Sequence, residues 1–272
     1  MDVLIEAALK EDMPQGDITS ESIIPPDSES EVIILAKEGG VLAGIDIAER
    51  VFRKVDPSVV FKKILNDGRK FKKGMTLATL QGNSISLLKG ERTALNFLQR
   101  MSGIATTTWK FVRALQGTKT KILDTRKTTP GLRSLEKYAV RMGGGVNHRF
   151  NLSEMVLIKD NHLRLVGSIS QAVKRAREKI TPGMRVEVEA TNLEEVQEAA
   201  QSGVDMIMLD NMPIEKVKEV VKWVKGKIPL EVSGKINLRR GKEIASLGVD
   251  FISVGSLTHS SKSVDICIEF LR

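Results

Sequence analysis

The spacing of apolar residues divides the chain into two regions of different character. Apolar residues at positions 4, 5, 8 and 9 predict a short amphipathic helix before the turn sequence MPQGDITS. From about Glu31 to Ser86, short apolar runs alternate with glycine-containing turns, as in VIILAKEGGVLAG and MTLATLQGN. This pattern predicts a small β-rich domain, and the segment IDIAERVFRKV within it predicts one helix packed on the sheet.

A long helical pattern follows, in GERTALNFLQRMSGIATTTWKFVRAL. Leu95, Leu98, Met101 and Ile104 stand near helical spacing, and the Ser-Gly pair at 102 and 103 predicts a break into two helices. We place the domain junction there, which gives an N-terminal domain over residues 1–104 and a second domain over residues 105–272.

The second domain alternates apolar strand candidates with amphipathic helices such as ISQAVKRAREKI and NLEEVQEAAQSG. Repeated β-α units indicate parallel strands with right-handed crossovers, hence an α/β barrel or a doubly wound sheet. Polar or charged residues close or follow all six clear strands, and only a barrel gathers so many strand ends at one rim. We therefore expect a barrel with its active site at the carboxyl ends of the strands. The six strands are predicted to end near Leu123, Ile158, Val188, Leu209, Val232 and Val254.

The amino-acid composition limits the kinds of ligand and partner that the protein is expected to bind. The net charge of +8 over 272 residues favours an anionic ligand, but aromatic residues make up only 4%, too few for the stacking surfaces of single-strand binders. We predict a small polyanion and no nucleic acid. One cysteine and three separated histidines do not support a zinc site. No apolar run reaches the roughly 20 residues of a membrane span, and the N-terminus lacks a secretory pattern, so we expect a cytoplasmic protein without a membrane partner.

Cations cluster at the predicted strand ends. Arg126 and Lys127 follow the strand that ends at Leu123, His148 and Arg149 lie in GGGVNHR, and Lys159 closes the next strand. A guanidinium grips a carboxylate through two parallel hydrogen bonds, whereas an ammonium acts as a point charge, so the mixture suits a ligand with several anionic groups. Each cation taken alone is equally well explained as surface charge. Their shared position at strand ends favours binding.

Carboxylates and small residues complete the rim. Glu187 and Glu189 alternate on one strand and so share a face, and Asp210 ends the next strand. Acids facing a barrel interior suit magnesium and a sugar diol, although a salt-bridge layer with neighbouring lysines is the alternative. The segments EVSGK and SVGSLTHS end two further strands, where backbone amides of small residues commonly bind phosphate.

These motifs together resemble a known family. GERTALNFLQRMSGIAT, DTRKTTPGLR, GGGVNHR, LIKDNH, EVE, LDN and VGSLTHS occur in the order and approximate spacing of quinolinate phosphoribosyltransferases, and the resemblance extends from EDMPQGDITS to VGSLTHS. It implies an N-terminal α/β sandwich domain followed by an incomplete α/β barrel of seven strands. It also implies transfer of phosphoribose from phosphoribosyl pyrophosphate to quinolinate, with release of pyrophosphate and carbon dioxide and a requirement for magnesium.

The resemblance assigns roles to residues motif by motif. It implies that Lys127, Lys159, Glu189 and Asp210 are catalytic, that Glu189 and Asp210 face the ribose and the magnesium-bound pyrophosphate, and that a homodimer donates Arg92 across its interface to the neighbouring site. One departure concerns the phosphate loop, where the family has two glycines after the serine and this chain has Lys235 in the second position. The complete implied substrate-binding set is Arg92, Thr125, Arg126, Lys127, His148, Arg149, Lys159, Glu189, Asp210, Ser233, Gly234, Lys235, Val254, Gly255, Ser256 and His259.

Three alternatives remain open from the sequence. The nearest is a related phosphoribosyltransferase of the same fold that acts on another pyridine or on a molybdenum-linked metabolite. A basic nucleic-acid binder would show steeply salt-dependent affinity. A lyase using Lys159 or Lys127 as a Schiff-base amine would be trapped covalently with its substrate by borohydride.

Overall fold

The computed structural model describes residues 1–271 and divides into two compact α/β units. The first unit contains residues 1–107, takes in residues 134–144, and includes the chain from Ser261 onward. The second unit contains residues 108–133 and 145–260. The ranges expected from the sequence, 1–104 and 105–272, differ from these units because two later segments return to the first unit. Within residues 1–271, no helix combines the length and the apolar character needed to cross a bilayer.

The first unit is built on antiparallel strands. Its elements are α1 (Asp2–Asp12), α2 (Ile18–Ile23), β1 (Glu29–Ala36), β2 (Gly40–Val41), α3 (Ile45–Val55), β3 (Val60–Lys63), β4 (Lys70–Phe71), β5 (Thr76–Asn83), most of α4 (Ser84–Ala114), α5 (Arg133–Met142) and β12 (Ile266–Phe270). A four-stranded sheet has the order β12-β1-β5-β3, and β2 pairs with β4 separately.

Alternation along β1 explains why this sheet has one buried face. Val32, Ile34 and Ala36 are buried while the residues between them are not, as period-two patterning requires. Helix α3, predicted over the same residues, buries Phe52, whose ring lies 6.1 Å from the ring of Phe61. The C-terminal strand β12 pairs with β1 from Val32↔Phe270 to Ala36↔Ile266, which returns the end of the chain to the first unit.

The predicted break at Ser102 and Gly103 is wrong, because α4 runs without interruption from Ser84 to Ala114. Both residues serve packing instead. Ser102 accepts a hydrogen bond from the backbone N–H of Ala43 at 3.1 Å, and a Cβ on Gly103 would lie 2.0 Å from the carbonyl oxygen of Lys262. Glycine is therefore needed here for the close approach of another backbone segment and does not end the helix.

The second unit is an open parallel sheet covered by helices. Its elements are β6 (Lys121–Leu123), β7 (Val156–Ile158), α6 (Asp160–Val166), α7 (Ile169–Arg177), β8 (Val186–Ala190), α8 (Leu193–Gln201), β9 (Met206–Asp210), α9 (Ile214–Val224), β10 (Leu230–Ser233), α10 (Leu238–Ala245), β11 (Phe251–Ser253) and α11 (Ser256–His259). The strand order is β6-β11-β10-β9-β8-β7, so two strands consecutive in sequence, β6 and β7, form the opposite edges. This is the barrel that the strand-end pattern predicts, in the incomplete form that the family resemblance implies.

The barrel sheet has six strands within the described residues, not the seven that the family resemblance implied. At the open edge, Val146 makes only an isolated parallel bridge to Leu123, with hydrogen bonds to Ile122 and Asp124. The three glycines that precede Val146 disfavour a regular strand. The bridge nevertheless fixes the start of the loop that carries His148 and Arg149 beside the end of β6.

Candidate active site

A cavity of about 600 Å³ opens within the second unit, at the carboxyl ends of its strands. Eleven residues predicted for substrate binding line it, from five different strand ends and the loop after Val146. They are Thr125, Arg126, Lys127, His148, Arg149, Lys159, Glu189, Asp210, Ser233, Gly234 and Lys235. Leu157, Met208, Asn211, Glu231 and Ser253 complete the wall.

Two arginines give the cavity its strongest positive charge. Nε of Arg126 is buried and has no hydrogen-bond partner among residues 1–271. Arg149 donates from one guanidinium nitrogen to the carbonyl oxygen of Met155 at 2.9 Å. Burial, followed by the nearby charge of Arg126, lowers the pKa of Arg149. Two like charges and an unsatisfied donor in one wall indicate a place for an anionic ligand.

Turn chemistry positions the first group of cations. The hydroxyl of Thr125 accepts a hydrogen bond from the backbone N–H of Lys127 at 3.0 Å, which orients the turn after β6. Arg133, on the far side of the turn at Pro130 and Gly131, donates to the Thr128 hydroxyl at 3.0 Å and to the carbonyl oxygen of Phe150 at 3.2 Å. Arg133 therefore anchors two loops of the unit and does not line the cavity.

Lys159 and Glu189 form an ion pair in the cavity wall. The ammonium of Lys159 donates to Glu189 Oε2 at 2.7 Å. The backbone of Lys159 is fixed because its N–H donates to Nδ1 of His162 at 2.9 Å, at the start of α6. His162 thus has a structural task at a helix terminus, and Lys159 is held with its side chain toward the end of β8.

The opposite wall depends on left-handed backbone. Gly234 has φ +100° and Lys235 has φ 47°, directly after β10. A Cβ on Gly234 would lie 2.2 Å from Oδ1 of Asn211, which itself has φ 53°. The Asn211 amide donates to Asp210 Oδ2 at 2.7 Å. The ends of β9 and β10 are therefore packed backbone to side chain, with no room for a residue larger than glycine at position 234.

Beneath the rim lies a cluster of fully buried acids. Glu187 and Glu231 have no exposed surface, and His148 Nε2 lies 3.0 Å from Glu187 Oε2 and 3.4 Å from Glu231 Oε2. Burial raises the pKa of Glu187 to about 7, against the lowering effect of Arg149 and Lys159. Burial and the charge of Glu187 raise the pKa of Glu231 to about 8. This interior layer holds carboxyl groups that resist ionisation at neutral pH.

Five predicted residues do not line the cavity. Arg92 is an exposed residue of the first unit. Val254 is buried, and its N–H donates to the carbonyl oxygen of Leu123. Gly255 stays near the site, because a Cβ on it would touch both Lys127 and His259 at 3.2 Å. Ser256 begins the short helix α11, and His259 ends it.

Sequence reasoning missed Glu231, included Asn211 only as part of the motif LDN, and left Glu187 out of the substrate-binding set. A signal was available for Glu231, since it stands two positions before Ser233 on an otherwise apolar strand, as Glu187 stands two before Glu189. Residues two apart on a strand share a face, so both glutamates had to point toward the side that carries the rim residues. No sequence signal pointed to the contact of Asn211 with Gly234, because it joins two different strand ends.

The chain matches two family models in succession. The model described as quinolinate phosphoribosyl transferase, N-terminal domain, matches residues 17–102, and the model for the C-terminal domain of that enzyme matches residues 104–269. Together they cover most of the chain, including every cavity residue described above.

Individual proteins give the same result. A probable nicotinate-nucleotide pyrophosphorylase (carboxylating) of Bacillus subtilis is 46% identical over 95% of this chain and 89% of its own length. Its counterpart in Synechocystis is 42% identical over 100% of this chain and 93% of its own length. The solved structure of nicotinate-nucleotide pyrophosphorylase from Ehrlichia chaffeensis is 43% identical, covers 100% of this chain and 98% of its own, and superimposes with a TM-score of 0.96. The fold, the cationic cavity and these similarities together show that the chain belongs to the quinolinate phosphoribosyltransferase family.

Proposed function

We propose that this chain transfers the phosphoribosyl group of phosphoribosyl pyrophosphate to quinolinate and releases pyrophosphate and carbon dioxide, giving nicotinate mononucleotide for NAD biosynthesis. The observation that carries this proposal is that one cavity contains both two arginines, Arg126 and Arg149, and two carboxylates, Glu189 and Asp210. The first pair suits a planar dicarboxylate, and the second suits a ribose with its leaving group.

The quinolinate carboxylates are proposed to bind between Arg126 and Arg149. An anion there supplies an acceptor for the buried Nε of Arg126 and relieves the repulsion between the two guanidinium groups. Lys127 and Lys159 add ammonium groups at the same wall. Arg92 is proposed to reach a neighbouring site in a homodimer, a role supported by the family resemblance and by its exposure.

The phosphoribosyl group is proposed to lie along the ends of β9, β10 and β11. Glu189 and Asp210 would accept hydrogen bonds from the ribose hydroxyls. The backbone around Ser233, Gly234 and Lys235, with Gly255 and Ser256 of the next strand end, would donate to the 5′-phosphate. This assignment is supported by the left-handed turn at positions 234 and 235, since successive N–H groups in such turns form anion-binding concavities.

Magnesium is the proposed cofactor, and the donor set fits it. Glu189 and Asp210 offer hard carboxylate oxygens at adjacent strand ends, and each uses only one oxygen in the hydrogen bonds described above. Magnesium usually keeps several waters and binds through one or two carboxylates together with substrate phosphates. When bound, it would neutralise the charge of the departing pyrophosphate.

The residues then account for the reaction. Positive charge develops on the ribose as pyrophosphate leaves, and Glu189 and Asp210 stabilise it through the hydroxyls. The pyridine nitrogen of quinolinate, held by the arginines, attacks the ribose carbon. Once the nitrogen is quaternary, the ring cation stabilises the carbanion left when the adjacent carboxylate departs as carbon dioxide, and this carbon then takes up a proton from water to give the C–H bond of the product. Decarboxylation therefore needs orientation by Arg126, Arg149 and Lys159 more than it needs a strong base.

The direct test measures carbon dioxide release from quinolinate labelled at the 2-carboxylate. We expect release only when phosphoribosyl pyrophosphate and magnesium are both present, and no consumption of phosphoribosyl pyrophosphate when nicotinate replaces quinolinate. Turnover of nicotinate without turnover of quinolinate would instead support the related phosphoribosyltransferase. For the Lys159→Ala variant used in the next test, the matched control is Lys222→Ala, which removes a lysine from the outer surface of α9.

The shared site is tested by mixing two inactive variants. Arg92→Ala and Lys159→Ala proteins are each expected to be inactive, and mixed dimers should regain partial activity because one of their two sites is complete. Subunit exchange is followed with two different affinity tags. Absence of recovery after confirmed exchange would rule out donation of Arg92 across an interface.

A further inference from the structure

Both ring nitrogens of His148 are engaged by the protein. Nδ1 accepts a hydrogen bond from the backbone N–H of Arg149 at 2.8 Å. Nε2 faces Glu187 Oε2 at 3.0 Å. Because Nδ1 acts as an acceptor, it carries no proton, so the ring proton is on Nε2 and is donated toward the buried carboxyl groups.

The same loop is also held from the end of β6. The fully buried Asp124 accepts a hydrogen bond from the backbone N–H of His148 at 2.9 Å through Oδ1, and its Oδ2 accepts from the side-chain amide of Asn147. Acidic residues from three parts of the sheet therefore lie against the loop: Asp124 directly after β6, Glu187 in β8 and Glu231 in β10. The series of hydrogen bonds ends at the backbone N–H of Arg149, which donates to Nδ1 of His148.

We infer that Glu187 is a positioning residue of the reaction, which, with Glu231 packed beside it at 3.4 Å from the ring, holds His148 as the Nε2–H tautomer so that its Nδ1 fixes the backbone of Arg149. Neither glutamate has exposed surface, and Glu187, which does not line the cavity, acts on the substrate only through His148. This inference rests on the proposed role of Arg149 in binding a quinolinate carboxylate. It gives a function to two buried acids that the proposed mechanism otherwise leaves unused.

A metal ion is the competing explanation for this cluster, and the geometry argues against it. One ligand atom from each of His148, Glu187 and Glu231 lies within 4.8 Å of the others, close enough to surround a cation. A neutral histidine that binds a metal through Nε2 carries its proton on Nδ1. That proton would point at the N–H of Arg149, which is 2.8 Å away. The observed donor and acceptor arrangement therefore fits a hydrogen-bonded layer.

The surroundings of the glutamates support the same arrangement. The charged and polar groups that act on them are Arg149, Lys159 and Glu189 from the rim, with Ser253 from β11. Neither glutamate pairs directly with a cation in the structure, so burying both as carboxylates would be costly. Glu187 Oε2, at 3.0 Å, is the acceptor that faces the ring proton of His148.

Kinetics separate positioning from a simple contribution to stability. Glu187→Gln keeps an oxygen that accepts from His148, whereas Glu187→Leu removes it at similar volume. We expect Glu187→Leu to raise the KM for quinolinate by about tenfold, the effect of one lost buried hydrogen bond, with little change in the KM for phosphoribosyl pyrophosphate. Glu187→Gln should largely restore the wild-type value.

A control variant tests the other end of the same strand. Asp205 accepts a hydrogen bond from the N–H of Val186 at the start of β8, away from the rim. Asp205→Ala should lower the melting temperature without raising the KM for quinolinate. The inference is overturned if Glu187→Leu binds quinolinate as the wild type does, or if Asp205→Ala raises the KM to the same extent.

Nuclear magnetic resonance tests the tautomer without any assay of activity. The chain has only three histidines, so ring ¹⁵N labelling gives three ring systems, and His162→Gln and His259→Gln assign them. We expect His148 to be the Nε2–H tautomer in the wild type and in Glu187→Gln, and to lose that fixed form in Glu187→Leu. An Nδ1–H tautomer in the wild type, or a stoichiometric metal ion that survives dialysis against chelator, would contradict the inference. This readout stands even if the substrate proves to be different.

Discussion

Gly234 is the position in the cavity wall where adding a single carbon atom, a Cβ, is expected to have a large effect on activity. Its φ of +100° lies outside the range that L residues favour, and a Cβ there would lie 2.2 Å from Oδ1 of Asn211 and 2.9 Å from the backbone nitrogen of the same residue. The turn can accept a side chain only if the end of β9, including Asp210, moves. The geometry of the rim therefore depends on the absence of one methyl group.

We expect Gly234→Ala to lower kcat/KM by about a hundredfold, because displacements near 1 Å at a reacting centre have effects of that size. Gly248→Ala is the matched control. Gly248 also has a positive φ, of +87°, but a Cβ there would meet nothing within 4 Å. Both variants should lose about 1 kcal/mol of stability from backbone strain. Gly248→Ala should keep the wild-type kcat/KM. If the two variants have equal kcat/KM, the clash with Asn211 does not determine activity.

Lys235 combines backbone strain with a cationic side chain in the cavity wall. Its φ of 47° is one that glycine adopts more easily. We expect Lys235→Gly to raise the melting temperature slightly and to raise the KM for phosphoribosyl pyrophosphate severalfold, because a charge near the proposed phosphate site is lost.

Lys225 provides the control for this substitution. It has a similar φ, 50°, at the end of α9, outside the cavity. Lys225→Gly should change the melting temperature in the same direction and leave both KM values unchanged. If Lys235→Gly also leaves them unchanged, Lys235 is a tolerated turn residue without a role in binding.

At the scale of elements, helix α4 shows how a glycine can be essential without breaking a helix. Gly103 lies in the middle of 31 helical residues, and the carbonyl oxygen of Lys262 occupies the place of its missing side chain. A helical glycine costs about 1 kcal/mol relative to alanine when nothing contacts it. Here close packing with a second backbone segment of the first unit offsets that cost.

Two helical glycines give a direct test of this explanation. Gly103→Ala should be strongly destabilising, by several kcal/mol, because the obstructing atom belongs to the backbone and cannot rotate away. Gly241→Ala in α10 should be neutral or stabilising by up to about 1 kcal/mol, since its Cβ would make only ordinary contacts at 3.7 to 3.9 Å. Thermal or denaturant unfolding of the two variants measures both. Similar destabilisation in both would contradict the packing explanation.

Across the whole molecule, buried acids connect stability to pH. Glu231 ionises near 4.5 in the unfolded chain, and in the fold its pKa is raised to about 8 by burial and by the charge of Glu187. Between these values the folded protein holds a proton that the unfolded chain has released. The stabilising contribution is therefore complete below pH 4.5 and is lost as the pH rises toward 8.

We expect the free energy of unfolding of the wild type to fall relative to that of Glu231→Gln by about 1 kcal/mol per pH unit within this window. Glutamine cannot ionise, so the variant lacks this slope. Melting temperatures at pH 6 and pH 8.5 compare the two proteins. Glu243→Gln changes an exposed glutamate in the same way and should leave the slope unchanged. Parallel curves for the wild type and Glu231→Gln would contradict the shifted ionisation.

Local sequence patterns predicted much of the fold for an identifiable reason. Helix α3 occupies the predicted residues, and all six barrel strands end within two residues of their expected positions, because amphipathic spacing and apolar runs are local signals. The continuity of α4 through Gly103, the lack of a seventh barrel strand within residues 1–271 and the return of residues 134–144 to the first unit were not foreseen. Each depends on which distant backbone segment lies alongside, and periodicity carries no such information.

The sequence by itself determined the class of fold, the cationic strand ends and the family, since residue type, order and spacing are sufficient for these. Only the tertiary structure decided which of those residues share a cavity. It brought Lys159 to Glu189, set Asn211 against Gly234, and buried Glu187 and Glu231 beneath His148. These contacts join residues from 23 to 83 positions apart, as the numbering shows, and parallel strand pairing is what converts that separation into distances of a few ångströms.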